Sequence, residues 1–376
     1  RLHRKLGVIR ERSGAYPEAL RWYTRAMRLL GHPADARPRT PAQAAPDVLT
    51  ELAELELAYA GVRHRQGDVT SAGAWTERAI GHATSSGDEG ALGHAYYLST
   101  LIQVALGDRR ARETGERALP LLERTGDLVE QAKLLNNLGI AAYFAGDWDV
   151  ALDSYERSRR ASHRAGDLVG EATVVNNIGE ILSDRGHLDE AVGLFEQALE
   201  TFRTARYPIG VALATSNLGR ARQRSGELPQ AAALLEEARS GFEAINAAGF
   251  VADTLVRIAE VLVDSGQSAA ALETLGQAER RSGPSPDPFV AAATDRVRAS
   301  ALLALGRLDE AAVCATSAVH RAEQADARFE RARSLQVRTA IRRAMAAEAE
   351  LDEAEAQAAL HHLGVAAIER PERSPP

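Results

Sequence analysis

A segment that begins at Asn136 is repeated further along the chain at a fixed interval. Residues 136–147 read NNLGIAAYFAGD, residues 176–187 read NNIGEILSDRGH, and a third copy begins SNLGRARQRSGE at Ser216. Glycines recur at the same interval of 40 residues, at Gly146, Gly186, Gly226, Gly266 and Gly306. Self-similarity with a period of about 20–50 residues is typical of stacked supersecondary units. The sequence therefore predicts a repeat array, whose function depends on an extended surface rather than on one pocket.

The bulk composition narrows the classes of function. Apolar residues make up 45% of the chain and charged residues 26%, as in ordinary folded proteins. The net charge of −7 argues against direct nucleic-acid binding, which needs a strongly basic surface. No apolar run reaches the length of about 18 residues that a membrane span needs, and no secretory signal opens the chain. We therefore expect a cytoplasmic protein that binds neither membranes nor nucleic acid.

Single residue types add two expectations about origin and chemistry. Cys314 is the only cysteine, which excludes an internal disulfide and a cysteine-cluster metal site, and it is expected to be an inert core thiol. The chain has only two lysines, Lys5 and Lys133, among 45 basic residues, a bias typical of GC-rich genomes such as those of actinobacteria. The sequence begins at Arg1 inside a helical pattern and without Met, so we expect a longer protein with an upstream part.

Each turn glycine is surrounded by the same pattern of small and aromatic residues. Its best copy consists of Leu138, Gly139, Gly146, Trp148, Ala151 and Tyr155, with Ser158 at the last position, where other copies have Ala. This pattern resembles the tetratricopeptide repeat, a hairpin of two helices. Small residues at Gly139 and Ala151 allow the paired helices to approach to the short end of about 8–10 Å. We expect Ala151 and Ala191 to be buried where the helices meet.

The resemblance implies an all-α fold, namely a right-handed superhelical solenoid of about eight hairpins followed by a degenerate capping hairpin. The 40-residue period exceeds the family's usual length of about 34, so each helix should have roughly 15–17 residues. Such long repeats are similar to those of kinesin light chain, of the polarity scaffold Pins and of bacterial signalling proteins. Each turn glycine should end the first helix of its hairpin.

Proline-rich and degenerate segments predict the organisation of the chain. Residues 1–30 form the first hairpin, and residues 31–46, with four prolines, form a linker or hinge because proline does not continue a helix. Residues 47–365 form a continuous array that ends in the capping hairpin, and residues 366–376 form a disordered tail. The third repeat fits worst, since Gly115 takes an aromatic position, and in the last hairpin Ala346 replaces the turn glycine.

Motifs for catalysis or cofactor binding are absent from the sequence. Neither lysine follows a glycine, so there is no phosphate-binding P-loop, and the glycine cluster at 87–93 lacks the context of a dinucleotide site. No His-Glu-x-x-His occurs, and the adjacent His361 and His362 point about 100° apart on a helix, so they do not chelate a metal together. We therefore predict no enzyme activity, no catalytic residues, no metal site and no cofactor.

A polar stripe on the first helix of several repeats is the candidate binding surface. It is turned away from the core stripe, and its choice of residues is too specific for an ordinary solvated face. In the family that the chain resembles, this stripe lines a concave groove that holds extended peptides. The predicted peptide-binding residues are Lys133, Asn136, Asn137, Asn176, Asn177, Asn217, Arg220, Arg224 and Arg257. Asparagine pairs with a peptide backbone through both a donor and an acceptor, and arginine forks onto carboxylates, which favours an acidic ligand.

Two interpretations of the asparagines remain open from the sequence. They bind a ligand in the groove, as similar positions do in the repeats of Pins. Alternatively, an asparagine before Leu-Gly hydrogen-bonds to the neighbouring hairpin and sets the step of the superhelix. Two charged segments are similarly ambiguous, namely the basic residues 1–30 and the acidic run Glu348–Glu355. Both fit solvated faces, while the basic first repeat also fits docking against an upstream domain of the same chain.

The first repeat, LHRKLGVIRERSGAYPEALRWYTRAMRL, looks most like the C-terminal repeats of large actinobacterial regulators. Those proteins join a nucleotide-binding ATPase module, sometimes with a cyclase or a DNA-binding domain, to a repeat tail that senses a partner. The resemblance thus implies a protein–protein interaction module that binds a peptide or partner segment. The alternative is a free-standing assembly scaffold without an attached output domain.

Overall fold

The structure, a computed structural model, describes residues 2–13, 15–32, 44–66, 68–105, 110–283 and 287–365. Within these ranges every regular element is an α-helix, and the chain divides into two compact units. Unit 1 contains α1 (Leu2–Arg12), α2 (Tyr16–Leu29), α3 (Pro46–Arg65), α4 (Val69–Ser86), α5 (Glu89–Ala105) and α6 (Ala111–Thr125). Both units share α7 (Leu128–Phe144) and α8 (Trp148–Ala165), because residues up to 141 and residues 160–165 belong to unit 1 and residues 142–159 to unit 2.

Unit 2 holds the other ten helices of the described chain. They are α9 (Leu168–Arg185), α10 (Leu188–Thr204), α11 (Pro208–Arg224), α12 (Leu228–Ala244), α13 (Ala248–Asp264), α14 (Ser268–Ser282), α15 (Pro288–Ala304), α16 (Leu308–Gln324), α17 (Arg328–Ala344) and α18 (Glu350–His362). Consecutive helices pack as antiparallel hairpins in chain order, which confirms the all-α repeat array. Most of these helices are 17 residues long, at the upper end of the predicted range.

Most turns between the helices of unit 2 share one backbone geometry, whereas the turn after α14 differs, with Gly283 at φ 69° and ψ −163°. Gly186, Gly226 and Gly266 each follow the first helix of a hairpin and have positive φ, as predicted for the turn glycines. The equivalent turns after the second helices use the same left-handed conformation, with Arg206 and Asn246 in place of glycine. These turns therefore recur every 20 residues, because α9 to α13 have nearly equal lengths of 17 or 18 residues.

Small residues set the distance between the helices of a hairpin. Ala151 and Ala191 are fully buried, which confirms both predictions. A Cβ atom on Gly179 would lie 2.7 Å from Cε1 of Phe195, so only glycine lets α9 approach the aromatic side chain of α10. In the weakest repeat, a Cβ atom on Gly115 would lie 2.8 Å from Cδ2 of Leu138. There the leucine of the following repeat fills the space that an aromatic residue fills elsewhere.

The predicted boundaries fall partly outside the described residues. The first hairpin is formed by α1 and α2, where Tyr23 and Met27 are fully buried. Of the predicted linker 31–46, residues 33–43 lie outside the described part, and α3 begins at Pro46. The predicted tail 366–376 also lies outside it. The last hairpin, α17 with α18, has Ala346 at the turn, with a φ of 54°.

Candidate interaction surface

A row of polar side chains runs along the first helices of three successive hairpins of unit 2. These side chains lie at intervals of one, three and four residues, which places them on one face of each helix beside the core stripe. The polar row consists of Asn176, Asn177, Glu180 and Asp184 on α9, of Ser216, Asn217, Arg220 and Arg224 on α11, and of Asp253, Arg257, Glu260 and Asp264 on α13. It includes six of the nine predicted binding residues.

The asparagines of the polar row link neighbouring hairpins to each other. Asn217 donates a hydrogen bond from Nδ2 to Oδ1 of Asn176 at 3.2 Å, and Arg257 donates to Oδ1 of Asn217 at 2.9 Å. Asn176 in turn donates to Asn177 at 3.5 Å. Asn176 and Asn217 are both only 4% exposed. The side-chain amides thus connect α9, α11 and α13. A hydrogen bond to the neighbouring hairpin is one of the two interpretations that the sequence leaves open.

Asp184 is the centre of a buried ionic cluster. Arg220 donates to it at 2.8 Å, Arg224 also donates to it, and the hydroxyl of Tyr143 donates at 2.5 Å. Arg220 also pairs with Glu180 at 3.2 Å. Burial alone would raise the pKa of Asp184, but the two guanidinium groups and the tyrosine hydrogen bond hold this pKa below its usual range. Glu180 shows the opposite direction, because burial outweighs its arginine neighbours and raises its pKa.

A second cluster is centred on Glu260, further along unit 2. Arg296 of α15 donates to Glu260 at 2.7 Å and to Glu330 of α17 at 2.5 Å, while Arg333 of α17 also donates to Glu260. Burial would raise the pKa of Glu260, and the charges of Arg296 and Arg333 overcome that effect and lower it far below its usual range. Arginines of two first helices, α15 and α17, therefore converge on one carboxylate of a third, α13.

The sign of charge alternates from one hairpin to the next along the polar row. Positions 40 residues apart carry Glu180, Arg220 and Glu260 on one line, and Asp184, Arg224 and Asp264 on the next. Stacking places these positions against each other, so that acidic α9 faces basic α11. The alternation is visible in the sequence once the charges are compared at the repeat interval. The sequence pattern predicts that the arginines bind a ligand, whereas in the structure they pair with carboxylates of the same chain.

The three remaining predicted residues lie on the part of α7 that belongs to unit 1. Lys133 is exposed and pairs with Glu130 at 2.9 Å, one turn earlier on the same helix. Asn137 forms a side-chain hydrogen bond with Tyr97 of α5. Asn136 is half-buried beside it. In unit 1, as in unit 2, the asparagine before Leu-Gly thus contacts the preceding repeat.

The described residues show no other candidate chemistry. No three His, Cys, Asp or Glu side chains in the described ranges come together as a set of metal ligands. Cys314 is half-buried, and burial raises the pKa of its thiol, which disfavours the reactive thiolate. No helix in this part of the chain is long and apolar enough to cross a bilayer.

The fold and the polar row define a class of protein, a helical-hairpin array with a polar surface on its first helices. The chain contains tetratricopeptide repeats. Three segments, residues 2–37, 130–204 and 256–315, match models described as tetratricopeptide repeat. All three are repeat models rather than models of a catalytic family. No curated protein matches the sequence significantly.

Solved structures with the same fold are distant in sequence. A Rap conjugation gene regulator of the plasmid pLS20, in complex with the Phr* peptide, superimposes with a TM-score of 0.64 at 15% identity, over 87% of this chain and 98% of that one. A Rap protein complexed with Competence and Sporulation Factor gives 0.61 at 14% identity, over 92% and 98%. A signal transduction ATPase (STAND) protein with a tetratricopeptide repeat sensor, from Pyrococcus horikoshii, gives 0.54 at 15% identity, over 86% and 47%.

Proposed function

We propose that the chain is a protein-interaction module that binds a peptide or partner segment along the polar row. In the intact protein it serves as the sensor or regulatory part of a larger bacterial signalling or transcription-regulating protein. The observation that carries this proposal is the alternating ionic network buried in unit 2. The alternative is a free-standing scaffold with the same binding surface.

The energetics of the network favour a binding role over a purely structural one. Replacing buried ion pairs by well-packed apolar side chains is often neutral or stabilising by about 1–4 kcal/mol, so stability alone does not select them. The side chains of Arg220 and Glu180 are 17% and 24% exposed, so part of each remains accessible to a ligand. Charged groups with displaced pKa values also concentrate at functional sites. A ligand on the polar row therefore replaces ion pairs within the chain by ion pairs with its own charged groups.

The spacing of the polar row fits an extended segment. Successive hairpins place equivalent side chains roughly 10 Å apart, because the axes of packed helices approach to about 8–10 Å. An extended peptide rises about 3.3 Å per residue, so one repeat spans about three peptide residues. An acidic side chain on the ligand would replace Glu180 as a partner of Arg220. The Asn177 amide would pair with the ligand's backbone.

The comparisons support this use of the fold without identifying a ligand for this chain. Two of the structures with the same fold are complexes, one with the Phr* peptide and one with Competence and Sporulation Factor. The STAND protein carries its tetratricopeptide repeats as a sensor within a longer chain. A Gly-Lys-Ser/Thr phosphate-binding motif in the reading frame upstream of this sequence would favour the regulator over the free-standing scaffold.

A displayed library of random peptides, selected against the purified chain, tests the proposed surface. Each selected peptide is then titrated by fluorescence anisotropy against a charge-swapped variant, Asp253→Arg with Arg257→Asp. Asp253 and Arg257 pair at 2.8 Å on one turn of α13, so the swap keeps their ion pair and the net charge. We expect affinity to fall at least tenfold, which corresponds to about 1.4 kcal/mol.

The matched control is a second i,i+4 pair, on the exposed face of α6. The swap Arg112→Glu with Glu116→Arg reverses a pair whose members are 58% and 60% exposed. We expect this variant to bind the selected peptides like the parent chain. Equal binding by the α13 swap and by the parent would exclude the polar row as the binding surface and would leave it with a structural role alone.

A further inference from the structure

The last helix, α18, is attached to the array differently from the helices before it. Only Asp352 and Ala356 are buried among its thirteen residues, whereas α10 buries five apolar side chains. Leu351, the large apolar residue of its first turn, is 79% exposed. Apolar burial normally supplies most of the free energy that holds a helix in place. The apolar contribution within α18 itself is therefore small, and the next buried apolar side chain is that of Leu363, directly after the helix.

Ion pairs with α17 replace the missing apolar contacts. Arg338 contacts Asp352 through two hydrogen bonds of 2.7 and 2.8 Å, and Arg342 lies 3.1 Å from the same carboxylate. Arg331 pairs with Glu355 at 2.6 Å. The Asp352 side chain is only 4% exposed, so its pairs are shielded from solvent, whereas the side chains of Glu353 and Glu355 are 35% and 45% exposed. The acidic run of the sequence thus contains the face of α18 that contacts α17, and the carboxylate of Asp352 lies at the centre of this face.

The side of α17 that faces α18 is basic and continuous. Arg331, Leu335, Arg338 and Arg342 follow one another at intervals of four, three and four residues, which is one face of a helix. Leu335 is fully buried and packs with Ala356 of α18 and Val319 of α16. We call these four residues the α17 basic face. It offers three guanidinium groups around one apolar contact, which is the chemistry that an acidic amphipathic helix complements.

This face is separate from the side of α17 that reaches the polar row. Arg333, which donates to Glu260, lies two residues after Arg331 and therefore about 200° away around the helix. A segment docked on the α17 basic face thus does not occupy the polar row. Any partner bound there is consequently additional to a peptide bound along the polar row.

We propose that the α17 basic face is a docking site for an acidic helical segment of a partner protein, and that α18 occupies this site in the isolated chain. The partner helix carries two adjacent acids, a third acid two residues later and a small residue directly after it, as Asp352, Glu353, Glu355 and Ala356 do in α18. Binding of the partner displaces α18. Because the two surfaces are separate, this inference does not depend on the function proposed for the polar row.

The experiment uses the full chain and a labelled peptide with the chain's own sequence 348–364 as the probe. In the parent chain the tethered α18 competes at a high effective concentration and keeps the peptide out. In the full-length variant Asp352→Asn, the tethered helix loses its central carboxylate while the α17 basic face is unchanged. We expect the peptide to bind this variant at least tenfold more tightly than the parent chain, and to bind more weakly as salt rises from about 50 to about 500 mM.

Matched variants separate docking from non-specific attraction. A probe that itself carries Asp352→Asn should not bind, and adding Arg338→Ala and Arg342→Ala to the variant chain should abolish binding of the acidic probe. The exposed substitutions Glu353→Gln with Glu355→Gln provide a milder full-length variant, in which we expect a smaller gain in affinity for the probe. The Asp253/Arg257 charge swap should leave probe binding unchanged, which distinguishes this site from the polar row.

Either of two results would overturn the inference. Equal binding of the probe to the parent, to Asp352→Asn and to the milder variant would show that α18 is a permanent cap. Equal binding of the acidic probe and its Asn-substituted form would show that the carboxylate is not what the α17 basic face recognises. Hydrogen exchange in residues 350–362 gives an independent measure, since probe binding to the milder variant should speed exchange in the displaced α18.

Discussion

Glu260 shows what an ionised residue inside a helical array contributes to stability. Its carboxylate receives hydrogen bonds from Arg296 and Arg333, which lie 36 and 73 residues further along the chain. We expect Glu260→Gln to lower the free energy of unfolding at pH 7 by about 3 kcal/mol, because the buried guanidinium of Arg296 and the half-buried one of Arg333 then share Glu330 as their remaining anion. Urea denaturation measures this change, with the exposed Glu237→Gln as the control.

The same variant should also change the pH dependence of stability. Burial and the arginines together leave the pKa of Glu260 below its ordinary value of 4.5 in the folded state. As the pH falls below about 4.5, the unfolded chain therefore binds this proton before the folded chain does, and stability decreases. The contribution is complete above pH 4.5 and is lost as the pH falls towards the lowered pKa. Glu260→Gln should flatten this part of the stability curve, and an unchanged slope would contradict the assignment.

For single residues, the sequence predicted the positions of the side chains better than their hydrogen-bond and ion-pair partners. The repeat interval placed Asn177, Asn217 and Arg257 on one stripe, and all three do lie on the polar row. It also fixes which residues of adjacent hairpins meet, such as Glu180 with Arg220. The pairing of Arg333 with Glu260 skips a repeat, so it depends on how the stack curves. That curvature comes from the summed packing of many small residues, which no single motif encodes.

The turn between helices is the element that the sequence predicted most directly. At Gly226 the amide of Glu227 donates to the carbonyl of Arg222 at 2.9 Å, which is the bond of a Schellman motif and requires a left-handed residue before it. The same bond closes the last hairpin, from Ala347 to Arg342 at 2.8 Å, although Ala346 holds the left-handed position. The tertiary structure thus imposes the glycine conformation on an alanine.

Replacing that alanine by glycine should therefore stabilise the chain. A left-handed conformation costs an L-residue about 1–2 kcal/mol, while glycine adds about 0.5–1 kcal/mol of entropy to the unfolded state, so Ala346→Gly should gain roughly 0.5 kcal/mol. The reverse change, Gly226→Ala, should lose roughly as much, and no steric term enters because nothing lies within 4 Å of the added Cβ. Thermal melts of both variants test the pair. Destabilisation by Ala346→Gly, or stabilisation by Gly226→Ala, would show that local contacts, rather than backbone conformation, decide these turns.

Unit 2 as a whole contains contacts that a linear stack of repeats does not require. Phe144 stacks on Phe289 with ring centroids 4.0 Å apart, and Trp148 meets Phe329 edge-on at 5.2 Å. The carbonyl of Leu363 accepts a hydrogen bond from Arg185 at 3.1 Å. These contacts join the end of α7, the start of α8 and the end of α9 to α15, to α17 and to the residue that follows α18. The sequence predicted the order of the hairpins but not this closure, because its partners are about 145–180 residues apart and share no motif.

Closure should make unit 2 more cooperative than an ordinary repeat array. Repeats that contact only their neighbours unfold in a graded way, whereas contacts between the first and last hairpins couple the ends. We expect Phe289→Ala to increase hydrogen exchange in both α15–α18 and residues 142–159, with little change in α11 and α12. The matched control is Phe250→Ala, because Phe250 stacks on Phe242 of the adjacent helix at 5.0 Å and takes no part in the closure. Faster exchange confined to α15 in the Phe289 variant would mean that the aromatic stack does not couple the ends, and that unit 2 unfolds from its ends like an open solenoid.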